Sequence, residues 1–231
     1  MQKGLDLLLK KYSVATDATL SADGKTVAVS GKDIPVLPFE SERRFIELRN
    51  LVTLGRLGNM CTYRIGHTSK CGTDLFELLK REIGILEFTV NSKVTEIFAI
   101  KGGNALNVIA ETENGCVCTI ELAATLSDDQ KDVDKHEIIT DSGVGCDRVV
   151  DTQMPEESIY LLGKNKKTFT DTDAELFGYS EIEINTIRNA FLVAKCPEVQ
   201  KTNVEKWEHI EKVVKAARTS LETLENIKVE A

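Results

Sequence analysis

The spacing of apolar positions changes period several times along the chain, and each change marks an element. Residues 2–11 (QKGLDLLLKK) carry a short helical stripe, and an Asp23-Gly24 turn leads into the β-like run TVAVS and a proline-marked extended segment. Residues 40–54 return to helical spacing, with Phe45, Leu48, Leu51 and Val52 on one side and Gly55 placed to end the helix. LGNMCTYRIGH reads as a strand, RIGHTSKCG as the loop after it, and GTDLFELLKREIG as a helix with Thr73 as N-cap and Asp74 in its first turn. From Leu86 onward, strand follows strand: ILEFTV, VTEIFAI, LNVIAET and CVCTIEL, with Asn114-Gly115 as the hairpin signal. HEIITD, DRVVDT and SIYLLG continue the series after the acidic loop SDDQKDVD. Residues 180–195 and 203–223 close the chain as helices. The second has an apolar face of Trp207, Ile210, Val214, Ala217, Leu221 and Leu224, and NIKVE follows as a short strand.

About six to eight strands bounded by helices at both ends predict an α+β fold: a large, mostly antiparallel open sheet with helices packed on one face. The pattern divides the chain into an N-terminal extension of unknown role, residues 1–40, and an α+β domain, residues 41–231. Apolar residues fall on both sides of VTEIFAI, with Val94, Phe98 and Ile100 on one and Ile97 and Ala99 on the other. A sheet apolar on both faces needs two covers, so the pattern predicts a homodimer or higher homo-oligomer joined through the sheet.

Charge narrows the partners. With 37 acidic against 29 basic residues the net charge is −8, which repels a polyanionic backbone and argues against nucleic-acid binding. No apolar run is long enough to span a membrane, and the N-terminus lacks the pattern of an export signal, so a cytoplasmic location is expected. The six cysteines include no CxxC pair and are expected to be reduced thiols. Cys116 and Cys118 share one strand face with Ile120 and Leu122, which makes them core residues. The spacing of Cys61, His67 and Cys71 matches no common metal site, and no metal is expected.

Several segments in order carry a further resemblance. RFIELRNLVTLGRLGNMCTYRIGH, GTDLFELLKREIG, NVIAETENGCVCTIELAAT, HEIITDSGVG and EHIEKVVKAARTSLETLENIKVE together resemble the second domain of the glucose-fructose oxidoreductase/inositol dehydrogenase (Gfo/Idh/MocA) family, over about residues 43–230. The resemblance implies a dehydrogenase in which a Rossmann domain holds NAD(P) and this sheet domain lines the substrate site. The departures are large. No GxGxxG follows a strand near the N-terminus, GVGCDR at 143–148 has no helix after it, and the E-K-P lysine motif is missing. No cofactor is therefore expected on this chain alone, and NAD(P) only with a separate Rossmann subunit.

Carried over position by position, Asp74 stands where the family has its histidine and Glu77 where it has its aspartate. The family's histidine moves the substrate hydroxyl proton during hydride transfer. An aspartate does so only with its pKa raised by burial. Read from the residues alone, Asp74 complements the helix dipole and Glu77 can pair with Arg81 at i+4. No residue is assigned as catalytic; Asp74, Glu77 and His67 are the cleft candidates. The leading expectation is a non-catalytic oligomerisation or ligand-binding module of dehydrogenase type. The alternatives are the substrate-domain subunit of a split NAD(P)-dependent sugar or polyol dehydrogenase, and a carbohydrate-binding protein.

Overall fold

Alternation of period two builds the main sheet. The computed structural model of the protein describes residues 1–56, 58–147, 159–161, 167–169 and 174–230. In strand β7 (Val117–Leu126), Cys118, Ile120, Leu122 and Ala124 are buried, while Val117 and Glu121 are exposed. The same alternation runs through β6 (Ala105–Thr112), where Leu106, Val108, Ala110 and Thr112 point inward. With β4 (Met60–Lys70), β5 (Val94–Gly102), β8 (Val133–Thr140), β9 (Gly143–Cys146) and β12 (Ile227–Lys228) they form a seven-stranded sheet ordered β12-β5-β6-β7-β4-β8-β9. Every neighbouring pair is antiparallel except β4 and β7, which run parallel. The sheet is open and mostly antiparallel, as the pattern predicts. The β6–β7 turn uses Gly115 at φ +79°, a conformation that favours glycine.

Helix α3 (Leu75–Val90) covers the inner face of this sheet, packing on β4, β6 and β7. Its core stripe includes Leu75, Leu79, Ile83, Leu86 and Val90, all buried. Helix α5 (Pro197–Thr223) buries Ile210, Val213, Val214 and Ala217, and its Ser220 hydroxyl accepts a hydrogen bond from the Ala99 backbone N–H at 3.0 Å. Helix α2 (Arg43–Thr53) contributes Phe45 and Leu48 to the interior.

The chain separates into two compact units: Met1–Arg43 with Asp171–His209, and Arg44–Thr170 with Ile210–Ala231. The second holds the seven-stranded sheet. It also holds a separate ribbon of β10 (Ile159–Leu161) and β11 (Lys167–Phe169). In the first, helix α1 (Gln2–Lys11) and helix α4 (Glu181–Lys195) share a core with the three-stranded sheet β1 (Thr19–Leu20), β2 (Thr26–Val29) and β3 (Lys32–Pro35). Residues 1–40 thus fold with the segment around Ile187. A Cβ at Gly4 would lie 2.8 Å from the Ile187 Cδ1, so α1 and α4 approach closely there and a larger residue would make the Ile187 side chain shift. Asn189 accepts from the Leu37 N–H at 2.8 Å, and Ser180 and Glu183 form a capping box at the start of α4.

Several local expectations give way. ILEFTV is the end of α3 and not a strand: Leu79, Leu86 and Val90 keep helical spacing, and a short apolar run cannot distinguish a strand from a buried helix. The cap of α3 is Asp74, not Thr73, and its side chain accepts from the Phe76 N–H at 2.8 Å. RIGHTSK belongs to β4, so His67 is a strand residue. A register shift between Val94 and Glu96 turns Val94 inward with Ile97 and Ala99, leaving Phe98 and Ile100 on the outer face. Helix α5 starts at Pro197 and ends at Thr223; Leu224 follows it with φ +58° and is 69% exposed. SIYLLG contributes Ile159–Leu161 to the ribbon rather than to the large sheet, and most of DRVVDT lies outside the described residues. No helix among the described residues is long and apolar enough to cross a membrane.

Candidate functional site

Strand β4 sends Tyr63, Ile65, His67 and Ser69 inward, and the last two are polar. Its antiparallel neighbour β8 sets His136 opposite Ile65 and Asp134 opposite His67 on the same face. Helix α3 lowers Glu82 onto this pair of strands, fully buried, from a position in its apolar stripe. The backbone N–H of His136 donates to the Asp147 carboxylate at 2.7 Å, which holds Asp147 just past the end of β9. Arg44 enters from α2 and Arg81 from α3. Four elements and the segment after β9 therefore converge on one polar cluster inside the larger unit.

The bonding is dense. Glu82 Oε1 accepts from His67 Nδ1 at 2.7 Å and from Arg81, and Glu82 Oε2 accepts from His136 Nε2 at 2.8 Å. His136 Nδ1 lies 2.7 Å from Asp147 Oδ2. Arg44 grips Asp134 through both terminal nitrogens, each at 2.7 Å, and reaches Asp147 at 3.0 Å. Arg81 spans from Glu82 to Asp134 Oδ2, the latter at 2.9 Å. The Phe45 ring stands edge-on to His136 at 4.8 Å and lies beneath the Arg44 guanidinium at 4.4 Å.

Two carboxylates flank His136, so both ring nitrogens must donate and the ring is an imidazolium. Burial favours the neutral ring, but Asp147 and Glu82 outweigh it and push the pKa up to about 9. Burial likewise opposes charge on Glu82, and Arg81 followed by His136 overcomes it, holding the carboxyl well below its ordinary range. Asp134 is also held well below the usual carboxylate range: burial is outweighed by the Arg44 hydrogen bonds and charge, with Arg81 adding to them. Formally, Glu82, Asp134 and Asp147 balance Arg44, Arg81 and His136. A buried cluster at charge balance, with its donors and acceptors matched, locks β4, β8, α2 and α3 in one arrangement.

The three candidates from the sequence lie in different settings. Asp74 is exposed and caps α3. Glu77 is exposed and pairs with Lys80 at i+3, 2.9 Å away, and Lys80 also meets Glu211 at 2.8 Å. Only His67 is drawn into the buried cluster. Sequence reading missed Glu82, Asp134, His136, Asp147 and both arginines as a group. A signal existed: Leu75, Leu79, Glu82 and Leu86 step by four, three and four, which places a glutamate in the core stripe. Asp134, His136 and Ile138 share a strand face by their period of two.

A cleft of about 360 Å³ opens at the other end of β4, lined by Leu51, Val52, Asn59, Met60, Asn114 and Cys116 among others. Burial pushes the Cys116 thiol up to about 11, which suppresses the reactive thiolate there.

No protein-family model and no curated protein matches the sequence. Solved structures do share its fold. A myo-inositol dehydrogenase from Lactobacillus casei, in complex with NAD(H) and myo-inositol, has a TM-score of 0.59 at 14% identity, over 84% of this chain and 61% of that one. A scyllo-inositol dehydrogenase from the same organism, with bound NAD(H) and scyllo-inositol, has a TM-score of 0.58 at 11% identity, over 84% and 64%. A myo-inositol dehydrogenase from Corynebacterium glutamicum has a TM-score of 0.56 at 11% identity, again over 84% and 64%. The chain spans less than two thirds of the length of each. The fold is that of the α+β, sheet-bearing domain of Gfo/Idh/MocA-type inositol dehydrogenases, as the sequence resemblance implies.

Proposed function

We propose that this dehydrogenase-type sheet domain works as an assembly module, pairing with a second copy through the outer face of its seven-stranded sheet, and does not itself transfer hydride. The observation that carries the reading is the chemistry of that face. Ile100 and Ile109 are each 51% exposed and Val117 is 42% exposed. Together with Phe98 they lie on adjacent strands, and Phe98, Ile100 and Ile109 line a shallow groove of about 280 Å³ edged by Asn107, Thr119 and Glu121. An apolar centre with a polar rim is the composition of a protein interface. The placement of Asp74 and Glu77 agrees with a non-catalytic role: Asp74 caps a helix and Glu77 is ion-paired at the surface. In the buried cluster, which also holds His67, His136 has both nitrogens bonded to carboxylates.

Light scattering at micromolar concentration tests the reading. The expected mass is twice 25.6 kDa, falling to the monomer in Ile109→Lys with the circular dichroism spectrum unchanged. A wild-type monomer would overturn it. A second reading, the substrate-domain subunit of a split dehydrogenase, draws on the inositol dehydrogenases of similar fold, which exceed this chain in length by about a third. It predicts NAD⁺-dependent oxidation of a polyol, with NADH formed, only when a separate Rossmann subunit is added.

A further inference from the structure

We infer that His67 and Asp132 form an open binding site for a first-row divalent transition metal at the C-terminal end of β4. His67 is 5% exposed, and its Nδ1 is committed to the fully buried Glu82 at 2.7 Å. The Glu82 carboxylate accepts from that nitrogen, which leaves Nε2 as the ring nitrogen open to an ion. Among the described residues, Nε2 has no partner within hydrogen-bond distance. It faces Asp132 Oδ2 at 3.8 Å, and the Asp132 side chain is 47% exposed. Ser69 Oγ donates to the same Asp132 oxygen at 2.8 Å and meets Thr73 Oγ1 at 3.1 Å. This is the arrangement of a ligating histidine: the inner nitrogen is fixed by a carboxylate, and the outer nitrogen is aimed at a second, oriented donor.

Spacing and charge agree. Two ligands each about 2.1 Å from a tetrahedral ion stand about 3.4 Å apart, so closure from 3.8 Å asks Asp132 to move by about 0.4 Å. Being half exposed, on the loop between β7 and β8, it is placed to do so. The inner carboxylates are already matched by Arg44, Arg81 and His136, and Asp132 adds one further negative charge beside the ring. A nitrogen and a carboxylate oxygen suit zinc, cobalt or nickel better than calcium or magnesium. With only two protein ligands the remaining positions fall to water or to oxygen atoms of a small ligand, and the site is open.

A different trio, His67, Glu82 and Asp134, also has ligand atoms within 4.8 Å of one another. It does not take the ion, because the Arg81 guanidinium bridges Glu82 and Asp134 where a cation would sit. The metal belongs on the outward nitrogen.

Chelator-treated full chain titrated with Co²⁺, followed by visible absorbance and calorimetry, tests the site. The expected result is one site of micromolar affinity with nitrogen and oxygen ligation, weakened at least about tenfold in Asp132→Asn and in His67→Gln. Asp132 lies on an exposed loop, so its variant reads binding without threatening the fold. Equal affinity in wild type and Asp132→Asn overturns the proposal, as does a thiolate charge-transfer band, which would place the ion on a cysteine.

Discussion

Raising the pH from about 6.5 to about 8.5 should weaken the fold by an amount set largely by one ring. His136 is fully buried between Glu82 and Asp147, and its pKa in the folded protein is about 9 against an ordinary 6.5. The difference corresponds to about 3 kcal/mol of preferential stabilisation of the charged ring. Because the folded value is the higher one, this stability is fully present below the ordinary pKa and disappears as pH rises through about 9. Within the interval from about pH 6.5 to 8.5 the expected loss is about 2 kcal/mol. Urea unfolding at half-unit pH steps measures it, and ¹⁵N shifts of the His136 ring locate the titration directly. Stability that stays level or rises across the interval would refute the imidazolium assignment, and so would a ring that titrates near its ordinary value. The acid limb has the opposite sign. Glu82 and Asp134 have lowered folded values, so their contribution is present above the ordinary carboxylate range and is lost as pH falls toward those values.

Other outcomes follow from packing and capping. Ile210→Ala and Leu78→Ala, at side chains 1% and 8% exposed, should each cost about 2 to 5 kcal/mol in chemical denaturation; losses below about 0.5 kcal/mol in both would mean that these faces are not core. Asp74→Ala should lower the melting temperature while Asp74→Asn largely preserves it, because asparagine also caps a helix; equal losses in the two would point to a role beyond the cap. Ser180→Ala removes half of a capping box and should cost about 1 kcal/mol by urea unfolding. Calorimetry should show no NADH binding, since Gly143 and Gly145 lie in edge strand β9 and cradle no helix N-terminus; micromolar binding would contradict this.

Much of the fold was legible in the sequence because its signals are local. Period-two alternation located β6 and β7, Asn114-Gly115 located the turn between them, and the resemblance in segment order anticipated the α+β sheet of the inositol dehydrogenases. Local signals failed where two structures share one pattern. ILEFTV satisfies a strand and a buried helix equally, and only packing on β4, β6 and β7 made it the end of α3. A one-residue register shift beside Val94 exchanged the faces of that residue in a way no alternation count contains. The polar cluster was beyond reach for a different reason. Arg44, His67, Glu82, Asp134, His136 and Asp147 are scattered across about a hundred positions, and although the spacing puts Glu82 in a core stripe, nothing local says that the six meet. Their charges and protonation states are properties of the assembled group, fixed by distances of 2.7 to 3.0 Å that exist only once β4, β8, α2 and α3 have packed. The sequence determined which segments alternate and which coil; the tertiary structure decided which carboxylate meets which cation, because electrostatic energy depends on separation and burial and not on order along the chain.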